Sequence, residues 1–349
     1  MKKVKTTLRF AFAAALLLGS AASAEARSWR INSDASKKPH FTDINAAMAS
    51  DDVVAGDTLY LDPGTRISAV QNVTKQVTVV GTGYYVDSSV MEEAILSNHV
   101  YLKAAGVRLE GVRITTGSSP YAEIHIQAEG VSIERCRVEY VSVEATDALI
   151  RQCIGYRVYG QGISSTASAR CTIENSILAT MGSQPLANLY EAVIRNNYVW
   201  TASTSNYPLT SIGQSTIVNN LFVGKSDPNR IFNNVNGTIT NNVMSCTAAT
   251  YPSCPDNTYL GALPSAAYFS DAPIFDDDTD DKANVALKDF DPLIGAATDG
   301  GDCGPFGGMY PYVCSGFPLG MPYFGSSTVP TRPQDGQLRV TQKVVLQAE

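Results

Sequence analysis

Hydrophobic residues come in short alternating bursts along the chain: Val107-x-Leu109, Val131-x-Ile133, Ala148-x-Ile150, Cys171-x-Ile173 and Ala192-x-Ile194. Alternation with period two, rich in β-branched residues, predicts strands. Aligned on Leu109, Ile133, Ile150, Ile173, Ile194, Ile217 and Ile239, the bursts are 24, 17, 23, 21, 23 and 22 residues apart. Strands this short, with turns this similar, do not make a run of hairpins. A coil of three short parallel strands fits the period, and repetition of this kind marks a stacked solenoid.

The alignment assigns every residue a column. Two before the anchor stand Val107, Val131, Ala148, Cys171 and Ala192, small or apolar and expected to point inward. Nine and seven before it stand Val100/Leu102, Ile124/Ile126 and Val141/Val143, an inward pair on the first strand of the coil. Five after it stand Ile114, Val138, Leu178 and Val199 on the third strand, a column that Gly155 breaks. First-strand columns fit less well between about residues 164 and 232. One after the anchor, Glu110, Glu134, Arg151, Glu174 and Arg195 mix signs. That column reads as a solvated ladder of ion pairs, each worth about 0–1 kcal/mol. The phrases Ile173-Glu-Asn-Ser, Ile194-Arg-Asn-Asn, Ile217-Val-Asn-Asn and Ile239-Thr-Asn-Asn then mark the turn from second to third strand. Asparagine accepts left-handed backbone, and stacked amides can bond from rung to rung. Their expected role is structural.

Outside the repeat, residues 1–26 read as a Sec-type signal peptide: basic Lys2, Lys3, Lys5 and Arg9, apolar Phe10 to Leu18, then Ala22-Ser-Ala24 or Ala24-Glu-Ala26. The expected location is therefore secreted, cell-surface or periplasmic, with no transmembrane segment. Removing these residues takes the net charge from −7 to −10, with 22 basic and 32 acidic residues left. That balance argues against nucleic acid and anionic membranes as partners. Seven cysteines in an exported chain suggest disulfides. Cys246 with Cys254 and Cys303 with Cys314 are the expected pairs, while Cys136, Cys153 and Cys171 sit in the repeat as buried thiols. No Cys-x-x-Cys occurs and the three histidines do not cluster with cysteine, so no metal site is expected.

Several segments resemble the pectin-lyase-like class of exported bacterial right-handed parallel β-helix proteins. Phe41-Thr-Asp-Ile-Asn-Ala-Ala-Met48 and Ala55-Gly-Asp-Thr-Leu-Tyr-Leu-Asp-Pro-Gly-Thr65 look like its capping helix and first strand. Val77-Thr-Val-Val-Gly-Thr-Gly83 looks like the second strand of that coil, and the Ile-x-Asn-Asn phrases like its asparagine-ladder turn. The stretch from Ala286 to Gly308 looks like its closing coil. The resemblance implies an all-β parallel β-helix over residues 27–315, with three short strands per coil. A Gly/Pro-rich arm, 316–349, follows it and ends in a strand around Leu338 to Leu346 that could cover the end or pair another chain. It implies no single activity, since fold does not give function. The polygalacturonase-type motifs of the class are missing: Asp51-Asp52 lies in the cap and there is no Gly-His-Gly. No pectin methylesterase motif is evident. The acidic run Asp276-Asp-Asp-Thr-Asp-Asp281 lacks the glycine and distal glutamate of an EF-hand, so no cofactor is implied and calcium has no motif behind it.

In this class carbohydrate lies along the outer face of the first strand. The columns put His99, Tyr101 and Lys103 there on one rung, Glu123, His125 and Gln127 on the next, and Tyr140, Ser142 and Glu144 on the third. Two of the three histidines fall in this patch. A polysaccharide lyase needs a base, an acid and a cation for the uronate carboxylate; histidine or tyrosine serves the first two roles and Lys103 the third. A glycosidase would use two carboxylates, for which Glu123 and Glu144 are the candidates. The plainer reading is a polar outer face, as pleating requires. Tyr156, Tyr159, Tyr190, Tyr198, Trp200 and Tyr207 fall near turns, and Trp200 with Tyr207 is the candidate sugar-stacking pair. The function expected is recognition of an extracellular polysaccharide, extending to lyase-like cleavage. The alternative is a surface or adhesion protein whose β-helix is only a rigid scaffold.

Overall fold

Parallel pairing organises nearly everything in this computed structural model, which describes residues 26–84, 92–117, 120–161, 170–180, 182–201, 203, 205–224, 230–250, 254, 256–261, 290–313 and 316, and the backbone of 322–328 and 341–346. Residues 1–25 of the expected signal peptide and the acidic run from Asp276 to Asp281 fall outside these residues. Twenty-four strands form one sheet in which the pairings are parallel. Among the described residues no helix is long and apolar enough to cross a membrane.

The pairings fall into three stacks, an arrangement like a β-solenoid. One contains Gln71–Val73, Val100–Leu102, Glu123–Ile126 and the second halves of Arg137–Val143 and Ile154–Gly160. The next contains Arg108–Glu110, Ser132–Glu134, Ala148–Arg151, Cys171–Glu174 and Val193–Arg195. The last contains Arg113–Ile114, the starts of Arg137–Val143 and Ile154–Gly160, and then Ile177–Thr180, Tyr198–Thr201 and Leu221–Gly224. All seven anchors are Cα partners in sequence, from Leu109 with Ile133 to Ile217 with Ile239. The first six, with Ile124, Ile126, Val141, Val143, Ile114 and Val138, form one continuous buried core, against which partly buried Ile239 packs. The 17-residue spacing has a simple origin. Arg137–Val143 runs from the third stack into the first without a loop, so that coil is short.

The first coil is closed by the α-helix Ile44–Ala49, whose buried Ile44, Ala47 and Met48 lie on one face. Asp43 caps it, accepting from the Ala46 N–H at 2.7 Å, as an N-cap should. The Ile44 and Asn45 N–H groups donate to Gln71 Oε1, which fixes the helix on the first strand of the first stack. Buried Asp57 ties the entry together by accepting from the Arg27 and Val54 N–H groups and from Trp29 Nε1.

Asparagine does two different jobs in successive columns. Asn175, Asn196, Asn219 and Asn241 have φ between 50° and 59°, in the left-handed region, where Gly111, Arg135 and Gln152 stand on the earlier rungs. The following column is the amide ladder. Asn220 is fully buried, its Oδ1 accepts from the Asn197 N–H at 2.9 Å, and its Nδ2 donates to Ile194 O, Val218 O and Asn242 Oδ1. Ser176, Asn242 and Asn257 continue it upward and downward.

Residues 302–311 run as a strap along this turn. Asn175 Nδ2 donates to Pro305 O and Gly307 O, Asn196 Nδ2 to Asp302 O, and Gln152 Nε2 to Pro311 O. Gly304 N–H donates to Asn219 O, and Tyr310 lies over Arg151. Under the strap lies a second apolar cluster, with Tyr198, Trp200, Leu221, Val223, Phe290, Leu293 and Tyr312. Two expectations are corrected here. The charged column is in register, with Arg151 bonded to Glu134 at 2.7 Å and Arg195 to Glu174, but Glu110, Glu134 and Glu174 are buried, so it is not a solvated face. The expected Cys303–Cys314 clamp is also missing: Cys303 is a buried free thiol directed at Asn241 O, and Cys314 lies outside the described residues. Cys246 and Cys254 are both buried, and no disulfide joins them among the described residues, so that clamp is not formed either. In the arm, Pro322–Thr328 and Thr341–Leu346 pair antiparallel with each other, so the late strand has its partner within the arm.

Asn220→Ala should cost about 1–3 kcal/mol, because several buried groups lose a partner. Asn241→Gly, at a left-handed position, should stay within about 1 kcal/mol. Denaturant unfolding of both variants checks the division of labour, and equal effects would contradict it. Hydrogen bonds outweigh burial and hold the Asp57 carboxyl below its ordinary value. Its stabilisation is therefore full above the usual aspartate range, near about pH 4, and fades as pH falls through the lower folded value. An acid-melting curve for Asp57→Asn should show a shallower loss on that limb than the parent chain. Burial pushes the Cys153 and Cys171 thiols up to about 12 and Cys136 well above its ordinary value. Alkylation at pH 8 followed by peptide mass spectrometry should leave all three unlabelled until the chain is unfolded.

Candidate functional site

The outer face of the first stack is built by register. Asn72, Tyr101, His125, Ser142 and Tyr159 are successive Cα partners in one row. Glu123, Tyr140 and Arg157 form the row beside it. In Glu123–Ile126 the burial alternates, so Ile124 and Ile126 enter the core while Glu123 and His125 face out. The columns thus place the predicted face correctly, and the remaining question is what its side chains do together.

His125 is the centre. Its ring stacks on Tyr101, with centroids 4.4 Å apart and planes within 7°. Nδ1 lies 2.7 Å from Glu144 Oε1, and Nε2 lies 3.2 Å from Glu123 Oε2. Glu144 also accepts from Gln127 Nε2 at 2.9 Å and from Ser142 Oγ at 3.1 Å. Burial opposes its charge, but the bonds from Gln127, His125 and Ser142 prevail and hold its carboxyl below the usual value. Glu144 on Nδ1 and Glu123 on Nε2 together set the orientation of the His125 ring. Glu123 is held in turn by the Tyr159 hydroxyl. Burial and that bond to Glu123 push the Tyr159 phenol up to about 12, so it remains a proton donor. His99 completes the group, its ring centroid 5.7 Å from that of His125.

Cations border this centre on both sides. Exposed Lys103 donates to Asn72 Oδ1 at 2.7 Å and sits 5.1 Å from the Tyr101 ring centre. Arg157 lies over the Tyr159 ring at 4.4 Å. Tyr140 is a step away from the imidazole, in a cluster with Tyr121 and Tyr156, where burial raises its phenol. The buried Glu139 carboxylate shapes that edge by accepting from the Thr116 and Ala122 N–H groups and from Thr115 Oγ1.

The structure therefore brings together His99, Tyr101, Lys103, Glu123, His125 and Glu144, with Tyr140 at the margin. It separates the expected sugar-stacking pair. Trp200 is only 7% exposed and belongs to the apolar cluster under the strap, because its strand is in the third stack. Half-buried Tyr207 precedes the first-stack part of Leu209–Val218 and faces Arg230. Tyr159 and Arg157, expected near a turn, belong to the face. Continuing the 17-residue step from Tyr140 and Ser142 reaches them, and that step was the signal available in the sequence. The two carboxylates considered for glycoside hydrolysis both engage the same imidazole, so the ring occupies the space between them. No family model, curated protein or solved structure matches the chain.

Proposed function

We propose that the protein is an exported right-handed parallel β-helix, with three short strands per coil, that recognises an acidic extracellular polysaccharide on its first-stack face and cleaves it by β-elimination. The observation that carries this reading is the oriented imidazole: His125, fixed through Nδ1 by Glu144 and backed by Tyr101, on the same face as Lys103 and Arg157. Export rests on the basic, apolar and small-residue run of the first 26 residues. The class rests on the capping helix and the stacked asparagine turns.

In the proposed step, Lys103 and Arg157 bind carboxylates of successive uronate units. His125 Nε2 takes the proton from the carbon beside a uronate carboxyl, after the substrate displaces Glu123. The electron pair forms a carbon–carbon double bond as the glycosidic carbon–oxygen bond breaks, and the Tyr159 hydroxyl supplies a proton to the departing oxygen. Positioned acid–base groups contribute roughly 10²–10⁴-fold each.

A panel of neutral and acidic glycans, followed by absorbance of unsaturated uronides, by reducing ends and by retention on the immobilised protein, tests the reading. An acidic polymer should yield unsaturated product, His125→Ala should lower the rate by roughly 10²–10⁴-fold, and Lys103→Ala should weaken retention. Retention without product would reduce the function to recognition. Neither product nor retention would favour the rigid scaffold of a surface protein.

A further inference from the structure

We propose that His99, Glu123 and His125 form a binding site for a divalent transition metal of the zinc type. One donor atom from each of the three lies within 4.8 Å of the others. The sequence hides this set because the residues come from two coils, and only the pairing of Val100–Leu102 with Glu123–Ile126 brings them together. Three donors around one ion with bonds of about 2.1 Å stand about 3.4 Å apart. His125 Nε2 and Glu123 Oε2, at 3.2 Å, are already at that separation. The His99 ring has only to close the remaining gap.

Three further observations separate this set from a chance cluster. His99 Nδ1 is shut off from solvent and has no hydrogen-bond partner, a costly state for a buried polar atom unless something binds there. His125 has the outer support typical of a metal-bound imidazole: Glu144 accepts a hydrogen bond from Nδ1–H and leaves Nε2 for the ion. Glu144 is itself held by Gln127 and Ser142, and Glu123 is held on its other oxygen by Tyr159. Two imidazoles and one carboxylate select zinc-like ions over calcium or magnesium, which take oxygen ligands. Three protein ligands also leave a position for water or a substrate oxygen.

The site uses the nitrogen that the elimination step assigns to proton abstraction, but metal binding stands on the geometry alone. The two uses exclude each other, so a bound ion suppresses any His125-dependent cleavage and a chelator restores it. Calorimetric titration of the chelator-treated full chain with zinc chloride, without glycan, should show one equivalent bound. Cobalt(II) should give visible d–d bands without a thiolate charge-transfer band. His99→Ala and Glu123→Gln should abolish stoichiometric binding, and Glu144→Gln should weaken it about 10–100-fold. Calcium chloride should give no binding at this site. Circular dichroism and melting of each variant in chelator establish that it is folded. Absence of binding, a cobalt–thiolate band, or binding unchanged in folded His99→Ala and Glu123→Gln would overturn the proposal. Failure of the glycan assay would leave it standing.

Discussion

The structure depends on one constraint: each strand of the second stack must end at the same height as the strand it pairs with. Two adjacent residues enforce this. The first takes left-handed backbone and turns the chain, as at Asn175, Asn196, Asn219 and Asn241. The second buries an amide that bonds to the equivalent residue on the next rung, as Asn197, Asn220 and Asn242 do. An amide that both donates and accepts can satisfy its own groups only when its neighbours are in register. A slip of one residue would leave buried polar atoms unpaired and also turn the core-facing side chains outward.

Register fixed at the turn is transmitted to the opposite side of the coil, where the candidate chemistry lies. Tyr101 can stack on His125, and Glu144 can reach Nδ1, only because three first-stack strands are aligned residue for residue. The strap completes the division of faces. It covers the turn and the outer side of the third stack and leaves the first-stack face to the ionisable and aromatic residues. The orientation of the His125 imidazole, on which both proposals rest, is set by Tyr101 and Glu144.

What was legible in the sequence follows from the range of the interactions. The anchors, the inward columns and the first-stack face are local periodicities, and the pairings reproduce them. The strap was not legible as such. Residues 302–311 meet Gln152, Asn175 and Asn196 across more than 100 residues of chain, with no periodic signal to announce it. Two errors trace back to it: Trp200 read as an exposed ring, and Cys303 read as half of a disulfide. His99, Glu123 and His125 were each legible as outward residues. Their convergence was not, because it depends on the pairing of Val100–Leu102 with Glu123–Ile126, two strands more than 20 residues apart in the chain.

The most direct test of the central claim, that rung register assembles this face, is a pair of double-cysteine variants compared under mild oxidation. Cα partners on adjacent strands lie about 4.8 Å apart, within reach of a disulfide, whereas positions two residues out of step lie beyond it. Tyr101→Cys with His125→Cys should cross-link readily, and Tyr101→Cys with Gln127→Cys should not. Cross-linking of the second pair, or of neither, would contradict the account.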